Sequence, residues 1–170
     1  MLQLAGFKEE SIVDGPGIRA TVYFQGCPHH CPDCHNPETH DPKGGFKIPL
    51  EELVGMISKN HGITGVTFSG GEPFLQTPAA AALASQVSSL GLNLVVYSGY
   101  TYEKLCVLGQ SDASIRQLLE AAWLLIDGPY LKNKQDLNLS FRGSSNQRII
   151  DLKKTLNEGI VAKWAGSGDE

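Results

Sequence analysis

Three cysteines lie close together in the stretch QGCPHHCPDCHNPETHD, residues 25–41. Cys27, Cys31 and Cys34 are separated by three and two residues. Thiolates at this spacing in a short loop can turn towards one compact metal centre. A structural zinc ion needs four ligands and usually takes them from two cysteine pairs, whereas the chain has only this one cysteine loop. A histidine would have to complete a zinc site, and three stand beside the cysteines: His29, His30 and His35.

An iron–sulfur cube accounts better for an odd number of cysteines. Cysteine thiolates are its usual ligands, and there are normally four of them. Three cysteines leave one iron without a protein ligand, and an open metal position can bind a small molecule. We therefore favour a 4Fe–4S cluster over a zinc site or surface and redox-active cysteines. The fourth cysteine, Cys106, lies far away in YEKLCVL, where we predict a small buried residue on a helix.

The elements that must position the cysteines alternate between strands and helices. Runs rich in β-branched and aromatic residues predict strands, and apolar residues at helical spacing predict helices. Thr77 is predicted as the N-cap of the second helix, and Gly91 as the residue that ends it. The predicted strands are 19–26, 63–71, 92–99, 123–130 and the end of 137–152, and the predicted helices are 48–60, 77–91, 101–109 and 111–122.

This alternation predicts a mostly parallel sheet with right-handed connections. The fold class is therefore α/β, either a partial (βα) barrel with helices on the outside or an open doubly wound sheet. Both folds place their sites in loops after the carboxyl ends of strands. The least ordinary residues occur there: the cysteine stretch, SGGEP at 69–73, YSGY at 97–100 and DGPY at 127–130. We expect these four loops to form one site.

The composition is that of an ordinary globular chain. Its 170 residues are 41% hydrophobic and 19% charged, with a formal net charge of −4. This length suits one domain, predicted at residues 1–165, with a flexible tail at 166–170. The sequence has no apolar run that could span a membrane and no secretory signal features, so we expect a cytoplasmic protein. The mild acidity argues against a nucleic-acid binder.

The spacing C-x-x-x-C-x-x-C after the first predicted strand resembles that of the radical S-adenosylmethionine (SAM) enzymes. The resemblance implies that the three cysteines hold a 4Fe–4S cluster whose open iron binds the amino and carboxylate groups of SAM. It also implies that an electron from the cluster splits SAM into methionine and a 5′-deoxyadenosyl radical. The segment SGGEP resembles the GGE motif of the superfamily. This makes Gly70, Gly71 and Glu72 candidates for accepting hydrogen bonds from the ammonium group of SAM.

One position departs from the superfamily pattern. Many of its members carry an aromatic residue just before the third cysteine, where this chain has Asp33. The backbone of Asp33, Cys34 and His35 is the remaining candidate for contact with the adenine base. An acidic side chain beside a cluster disfavours the addition of an electron, so we expect Asp33 to lower the reduction potential. The potential of Asp33→Asn tests this, and an unchanged value would contradict it.

The stretch SIVDGPGIRATVYFQGC, residues 11–27, resembles the glycyl-radical-enzyme activating proteins. These use the deoxyadenosyl radical to abstract hydrogen from a glycine of a partner enzyme. The resemblance makes Asp14 and Arg19 candidates for shaping the mouth that receives the partner. The short chain without a second cysteine cluster, together with FRGSSNQRIID at 141–151, resembles the activating proteins of anaerobic ribonucleoside-triphosphate reductase. This implies the large reductase subunit as partner and a reduced flavodoxin or ferredoxin as electron donor.

Further candidates follow the later strands. Tyr97 and Ser98 close the third predicted strand and are candidates for lining the SAM pocket. Asp127 ends an apolar strand, so we expect it to face a ligand, a cation or an arginine. Arg142, like Arg148, flanks a polar turn and could clamp a carboxylate or remain solvated.

Two alternatives remain open at the level of sequence. One is an activating enzyme for pyruvate formate-lyase or another glycyl radical enzyme, and another is a zinc-binding interaction module. Within the cysteine stretch, we expect His29 and His30 to be exposed loop residues without a role in the site.

Overall fold

The computed structural model describes residues 1–167, which form seven strands and five α-helices. Strands and helices alternate through the middle of the chain, as predicted. The strands are β1 (Leu2–Ser11), β2 (Arg19–Phe24), β3 (Phe46–Ile48), β4 (Gly65–Gly70), β5 (Asn93–Tyr97), β6 (Leu124–Asp127) and β7 (Arg148–Asp151). The helices are α1 (Leu50–Ser58), α2 (Thr77–Ser89), α3 (Tyr102–Leu108), α4 (Ala113–Ala121) and α5 (Leu152–Glu158).

All seven strands belong to one sheet, in the order β3-β1-β2-β4-β5-β6-β7. The central strands β2, β4, β5 and β6 are parallel neighbours, which confirms the α/β class. The sheet is less uniformly parallel than predicted, because β1 pairs antiparallel with both β2 and β3, and β7 pairs antiparallel with β6. The four parallel strands place their carboxyl ends at the same edge of the sheet.

The sequence analysis missed β1 and β3. β1 contains Gly6 and the charged run 8–10, which are poor strand formers. Two register shifts interrupt its pairing with β2, one of them next to Gly6. β3 has only three residues and pairs with β1. Both strands therefore depend on their pairing partners rather than on a local sequence pattern.

The helices pack against one face of the sheet. The main core joins apolar side chains of the central strands, such as Phe24 and Phe68, to side chains from all five helices, such as Leu53, Leu83 and Leu118. A doubly wound sheet would carry helices on both faces. The five described helices instead all contribute to this one core on the same face of the sheet, so the doubly wound alternative is wrong.

The opposite face of the sheet is polar along β2 and β4, where Arg19 is fully buried. Its guanidinium donates hydrogen bonds to Thr67 Oγ1 at 2.8 Å, to Asn93 Oδ1 at 2.7 Å and to three backbone carbonyls. Gly65 leaves room for this group, since a Cβ there would lie 2.6 Å from Arg19 Nη2. Arg19 therefore links three strands inside the protein, and our prediction that it shapes the mouth of the site is wrong.

Two local predictions are also wrong. Thr77 has helical dihedral angles (φ −58°, ψ −39°) and is the first residue of α2, while Gln76 is the N-cap. Cys106 is exposed rather than buried. α3 turns Leu105 into the core, and the next residue of a helix points about 100° away from it. Gly91 follows the end of α2 with φ +75°, as predicted.

Two further predictions concern membrane spans and the carboxyl-terminal residues. Within residues 1–167, none of the helices is long and apolar enough to cross a membrane. The predicted tail at 166–170 falls mostly outside the described residues, which end in a short 3-10 turn at Ala165–Ser167.

Candidate active site

The carboxyl ends of the four parallel strands surround a cavity of about 380 Å³. This volume is within the usual range of small-molecule sites. All four loops that we expected to meet contribute to its wall. The predicted site residues that line it are Cys27, Cys31, Cys34, His35, Gly70, Gly71, Tyr97, Ser98 and Arg142. Three other predicted site residues, Asp33, Glu72 and Asp127, lie outside the lining.

The cysteine loop, residues 25–45, connects β2 to β3 and is closed at its base. The Gly26 N–H donates to the carbonyl of Thr39 at 2.7 Å. The buried side-chain amide of Gln25 donates to two further carbonyls of the loop, at 3.0 and 2.7 Å. These bonds hold the two ends of the loop together while the cysteines between them face the cavity.

The three thiols of this loop are free, partly buried and exposed to the same cavity. Burial raises the pKa of the Cys27 thiol, and the nearby Glu72, Cys31 and Cys34 add smaller increases. The protein alone therefore disfavours the thiolate of Cys27. Binding of a metal centre supplies the positive charge that a thiolate requires.

This donor set fits a 4Fe–4S cluster better than a zinc ion. Each thiolate of a cube binds a different iron, so the three sulfur atoms need not converge on one point. A structural zinc ion needs four ligands around a single centre. In the described part of the chain, no three or more His, Cys, Asp or Glu side chains are arranged to hold one metal ion.

Two glycines bring the end of β4 against the start of the cysteine loop. Gly70 has φ +90°, and a Cβ on Gly71 would lie 2.3 Å from the carbonyl oxygen of Gly26. The N–H groups of Gly71 and Glu72 donate to the carbonyls of Phe24 and Gly26, both at 2.8 Å. We predicted that these glycines allow close approach to a ligand. The structure shows that Gly70 allows close approach to the backbone of β2, and Gly71 to that of the cysteine loop, at the cavity wall.

Glu72 is fully buried, and its carboxylate is surrounded by protein donors. Oε1 accepts from the Phe74 N–H at 3.1 Å and from the Ser98 hydroxyl at 3.0 Å. Oε2 accepts from the Gly99 N–H at 2.9 Å and lies 2.6 Å from Nε2 of His29. A carboxylate has about four acceptor positions, so protein groups occupy all of them. The side chain of Glu72 therefore has no acceptor position left for the predicted contact with SAM.

His29 corrects one of our expectations. His30 is exposed, as predicted, but the side chain of His29 is only 16% exposed. The ring of His29 lies edge-on to Tyr100, with 4.4 Å between the ring centres. The sequence pattern did not reveal this, because the partners of His29 belong to loops that follow other strands.

Tyr97 joins the end of β5 to the connection between β6 and β7, which we call the β6–β7 loop (residues 128–147). The Tyr97 hydroxyl donates to the carbonyl of Phe141 at 2.7 Å. Phe141 has φ +60°, a conformation that bulky residues rarely adopt. Burial raises the pKa of Tyr97, so its hydroxyl keeps its proton and remains a donor. The strained residue on the cavity wall is therefore held by a side chain of the sheet.

The polar turn of the β6–β7 loop holds the loop itself. Gln147 Oε1 accepts from the N–H groups of Gly143 and Ser144, at 3.0 and 3.2 Å. The Gln147 amide donates to the carbonyl of Gly128 at 3.1 Å, and the Asn146 amide donates to a neighbouring carbonyl at 2.7 Å. The segment GSSNQ, which follows Arg142, therefore owes part of its polar character to the internal structure of the loop.

Asp127 is only 1% exposed and pairs with Arg148. Nε and Nη2 of Arg148 donate to its two carboxylate oxygens at 3.0 and 2.5 Å, and the Tyr102 N–H donates at 2.8 Å. Arg148 also donates to both carboxylate oxygens of Glu103, at 3.1 and 2.8 Å. Asp127 and Glu103 raise the pKa of Arg148. Of the three partners we considered for Asp127, the structure supplies the arginine.

Arg142 and Asp33 differ in their relation to the cavity. Arg142 lies on the cavity wall, and its Nε donates to the carbonyl of Ser140 at 3.3 Å. Asp33 is exposed and lies 3.3 Å from Nζ of Lys132, in a pair that is open to solvent and contributes little to stability. Asp33 has φ +56°, which aspartate tolerates better than a bulky aromatic residue does. Aspartate thus suits the backbone conformation that the cysteine loop has at this position.

Several cavity residues were not predicted. Some belong to motifs that we quoted without naming these positions, including Asn36, Ser69, Gly128 and Tyr130. Tyr130 packs against His35, with 4.6 Å between ring centres. Val13 lies in the family-like stretch 11–27, where only Asp14 and Arg19 were named. Leu137 lies outside the family-like motifs and reaches the site only through the fold.

Comparison with known proteins agrees with this site. The chain matches the family described as "4Fe-4S single cluster domain" over residues 13–150. It is 31% identical to the anaerobic ribonucleoside-triphosphate reductase-activating protein of Salmonella typhimurium over 150 residues, which are 84% of this chain and 94% of that protein. The protein of that name from Escherichia coli K12 is 30% identical over the same shares.

A second group of relatives is longer. The pyruvate formate-lyase 1-activating enzyme of E. coli K12 is 30% identical over 168 residues, which are 95% of this chain but 65% of that enzyme. These matches confirm the resemblance to activating enzymes of the radical SAM class. The chain belongs to the family described as "4Fe-4S single cluster domain" and to that of the anaerobic ribonucleoside-triphosphate reductase-activating proteins.

Proposed function

We propose that this enzyme installs a glycyl radical on the large subunit of an anaerobic ribonucleoside-triphosphate reductase. One observation carries the proposal: three free cysteines of one loop line the same cavity as the glycine-rich ends of β4 and β5. The match to relatives named for activation of this reductase, over most of both chains, supports the choice of partner.

Cys27, Cys31 and Cys34 are the residues that would hold the 4Fe–4S cluster. When bound, the cluster supplies the electron that splits SAM into methionine and a 5′-deoxyadenosyl radical. The protein positions the reacting groups and excludes water and oxygen from them. The closed base of the cysteine loop serves this purpose, because it limits the positions that the thiols can take.

We assign SAM to the cavity between the cysteine loop and the ends of β4 and β5. The backbone carbonyls of Gly70 and Gly71 can accept from its ammonium group, and the guanidinium of Arg142 suits its carboxylate. Tyr97 and Ser98 line the wall between them. The backbone of residues 33–35 remains our candidate for contact with adenine. The side chains of Glu72 and Asp127 act through other protein groups, because their carboxylates are bound to donors.

The type of α/β fold, the location in the cell and the electron donor are also part of the proposal. We assign the sheet to the partial (βα) barrel of the radical SAM type, as a single domain over residues 1–165. The packing of the helices on one face and the position of the cavity at the carboxyl ends of the strands support this. A cytoplasmic location and a reduced flavodoxin or ferredoxin as electron donor complete the proposal.

The mouth of the cavity is the place for the partner's glycine. Val13 and Leu137 line the cavity and are 66% and 88% exposed. Such apolar side chains at a mouth are suited to contact with another protein. Asp14 also lines the cavity and accepts from the Ser11 hydroxyl at 2.6 Å, which fixes its orientation. It stays our candidate for shaping the mouth.

The second candidate partner is pyruvate formate-lyase. The chain is 35% identical to the pyruvate formate-lyase-activating enzyme of Clostridium pasteurianum over 108 residues. It covers only 45% of that enzyme, against 94% of the Salmonella reductase-activating protein. The shared length therefore favours the reductase.

The test uses protein prepared without oxygen, a chemical reductant and SAM. Each partner is added separately, and electron paramagnetic resonance detects a glycyl radical. We expect the signal with the reductase, and its loss in Cys27→Ser, Cys31→Ser and Cys34→Ser. Cys106→Ser is the matched control, because this cysteine is exposed on α3, and it should keep the signal. A glycyl radical signal with pyruvate formate-lyase and none with the reductase would contradict the proposed partner. A colourless protein with one stoichiometric zinc would contradict the proposed enzymatic function.

A further inference from the structure

We infer that His29 is a positioning residue. Its hydrogen bond to Glu72 fixes the segment between Cys27 and Cys31 to the loop after β4, which borders the part of the cavity that we assign to SAM. The inference rests on the proposed function, since it concerns the loop that would hold the cluster. His29 stands between Cys27 and Cys31, so any constraint on it acts directly on the relative positions of two ligands.

The bond between His29 and Glu72 is short and sheltered. Nε2 of the ring lies 2.6 Å from Oε2, and the carboxylate is fully buried. A carboxylate can only accept, so the ring donates in this contact through the Nε2–H tautomer. Hydrogen bonds to charged groups in sheltered surroundings are stronger than bonds between exposed neutral groups. The loop therefore gains an attachment that solvent does not weaken.

The loop after β5 is shaped to receive the histidine ring. A Cβ on Gly99 would lie 2.4 Å from Cδ2 of His29, so a larger residue would displace the ring. Tyr100 packs edge-on to the same ring, and the Ser98 hydroxyl donates to Glu72. Three successive residues of the YSGY segment thus hold either the ring or its acceptor. This gives the segment a role that does not require contact with SAM.

The attachment joins three loops that must keep their relative positions. Glu72 belongs to the loop after β4, residues 98–100 follow β5, and His29 belongs to the cysteine loop after β2. Loss of the histidine leaves a buried carboxylate short of one donor and frees the segment between the first two cysteines. We expect the thiols then to sample more positions, so that the cluster assembles less completely and SAM binds less well.

The experiment compares neighbouring histidines. His29→Ala removes the attachment, His29→Gln restores an amide donor near the position of Nε2, and Gly99→Ala displaces the ring without changing it. His30→Ala is the matched control, because His30 is adjacent and exposed. Three readouts are taken: the iron and sulfide bound per chain, the change in the cluster's paramagnetic spectrum on addition of SAM, and the alkylation rate of the loop thiols in cluster-free protein.

For His29→Ala and Gly99→Ala we expect less iron per chain, a reduced spectral response to SAM, and thiol alkylation faster by about threefold or more, as for a locally opened loop. His29→Gln should recover most of each readout, and His30→Ala should match the wild type. Circular dichroism establishes that each variant is folded. If His29→Ala is not, His29→Asn replaces it, since its shorter amide ends before Glu72.

Wild-type values in His29→Ala, or equal losses in His30→Ala, would overturn the inference. Failure of the proposed function looks different. Wild-type protein would then bind no iron, while alkylation of the cluster-free variants would still report on the attachment of His29.

Discussion

The cysteine loop and the β6–β7 loop line the same cavity but are held in opposite ways. Beyond the bonds that close its base, the cysteine loop is held by other parts of the chain: His29 binds Glu72, and the residues after β4 bond to its backbone. The β6–β7 loop is held mainly by its own side chains, with Gln147 bonded to three of its backbone groups. It joins the sheet where Tyr97 meets Phe141. The sheet therefore sets the positions of the thiols directly, and sets the opposite wall through a few attachments.

The largest expected effect concerns the end of the β6–β7 loop. Arg148→Met removes the partner of Asp127 and leaves a buried carboxylate without its cation. Breaking such a pair costs about 4 kcal/mol of the free energy of unfolding. Urea unfolding followed by circular dichroism measures it. A loss below about 1 kcal/mol would show that the attachment to the sheet is weaker than its geometry indicates.

The control for this prediction uses the exposed partner of the same arginine. Glu103 is 60% exposed, so Glu103→Gln should cost only about 0.5 kcal/mol or less. Arg148 lowers the pKa of Glu103 through its hydrogen bond. The stabilisation from Glu103 is therefore complete above the ordinary carboxyl pKa and is lost as the pH falls through the lowered value. The difference between Glu103→Gln and wild type should disappear in acid.

The next effect tests the cysteine loop. Gly71→Ala places a Cβ against the carbonyl of Gly26, which is backbone and cannot move aside cheaply. We expect a loss of about 3 kcal/mol, typical of a severe steric conflict, together with lower iron content. Gly55→Ala is the control: nothing lies within 4 Å of its added Cβ, and it sits inside α1. This variant should be neutral or slightly more stable. Equal effects at both glycines would contradict the close contact.

A smaller effect is expected where β5 meets the β6–β7 loop. Tyr97→Phe removes the hydroxyl that holds the carbonyl of Phe141, and should cost about 1 kcal/mol of stability. The affinity for SAM should fall as well, because Phe141 and Arg142 line the cavity. Tyr23→Phe also removes a hydroxyl from this face of the sheet, one that donates to Asp14 at 3.3 Å. Isothermal titration should show weaker SAM binding in the first variant only.

The smallest effect on stability is expected at the exposed part of the β6–β7 loop. Leu137→Ser should leave the unfolding free energy almost unchanged, since the side chain is 88% exposed. Formation of 5′-deoxyadenosine without a partner should also persist, while glycyl radical formation on the reductase should require more partner protein. Ile160→Ser is the control, because Ile160 is 69% exposed and lies outside the cavity lining. If both variants need the same amount of partner protein, Leu137 does not contribute to contact with the reductase.

Local patterns were enough to predict much of this protein. The spacing of Cys27, Cys31 and Cys34 indicated the cluster, because ligands that are close in sequence must be close in space. The alternation of strands and helices indicated the α/β class and the edge where the site lies, because parallel strands end together. The strands β1 and β3 were missed because their apolar alternation covers only Leu2–Leu4 and Phe46–Ile48, which is too short to indicate a strand, and because their stability comes from pairing.

Tertiary structure decided what the polar residues do. Arg19 was predicted at the mouth, but the register of β2 against β4 places it on the buried polar face, and a shift of one residue would have turned it to the other face. His29 and His30 are identical in type and adjacent in sequence, yet only His29 meets a buried carboxylate. The sequence by itself determined which groups can bind a cluster. Which carboxylates stay free to touch a ligand depends on donors contributed by distant loops, and only the folded chain brings those donors together.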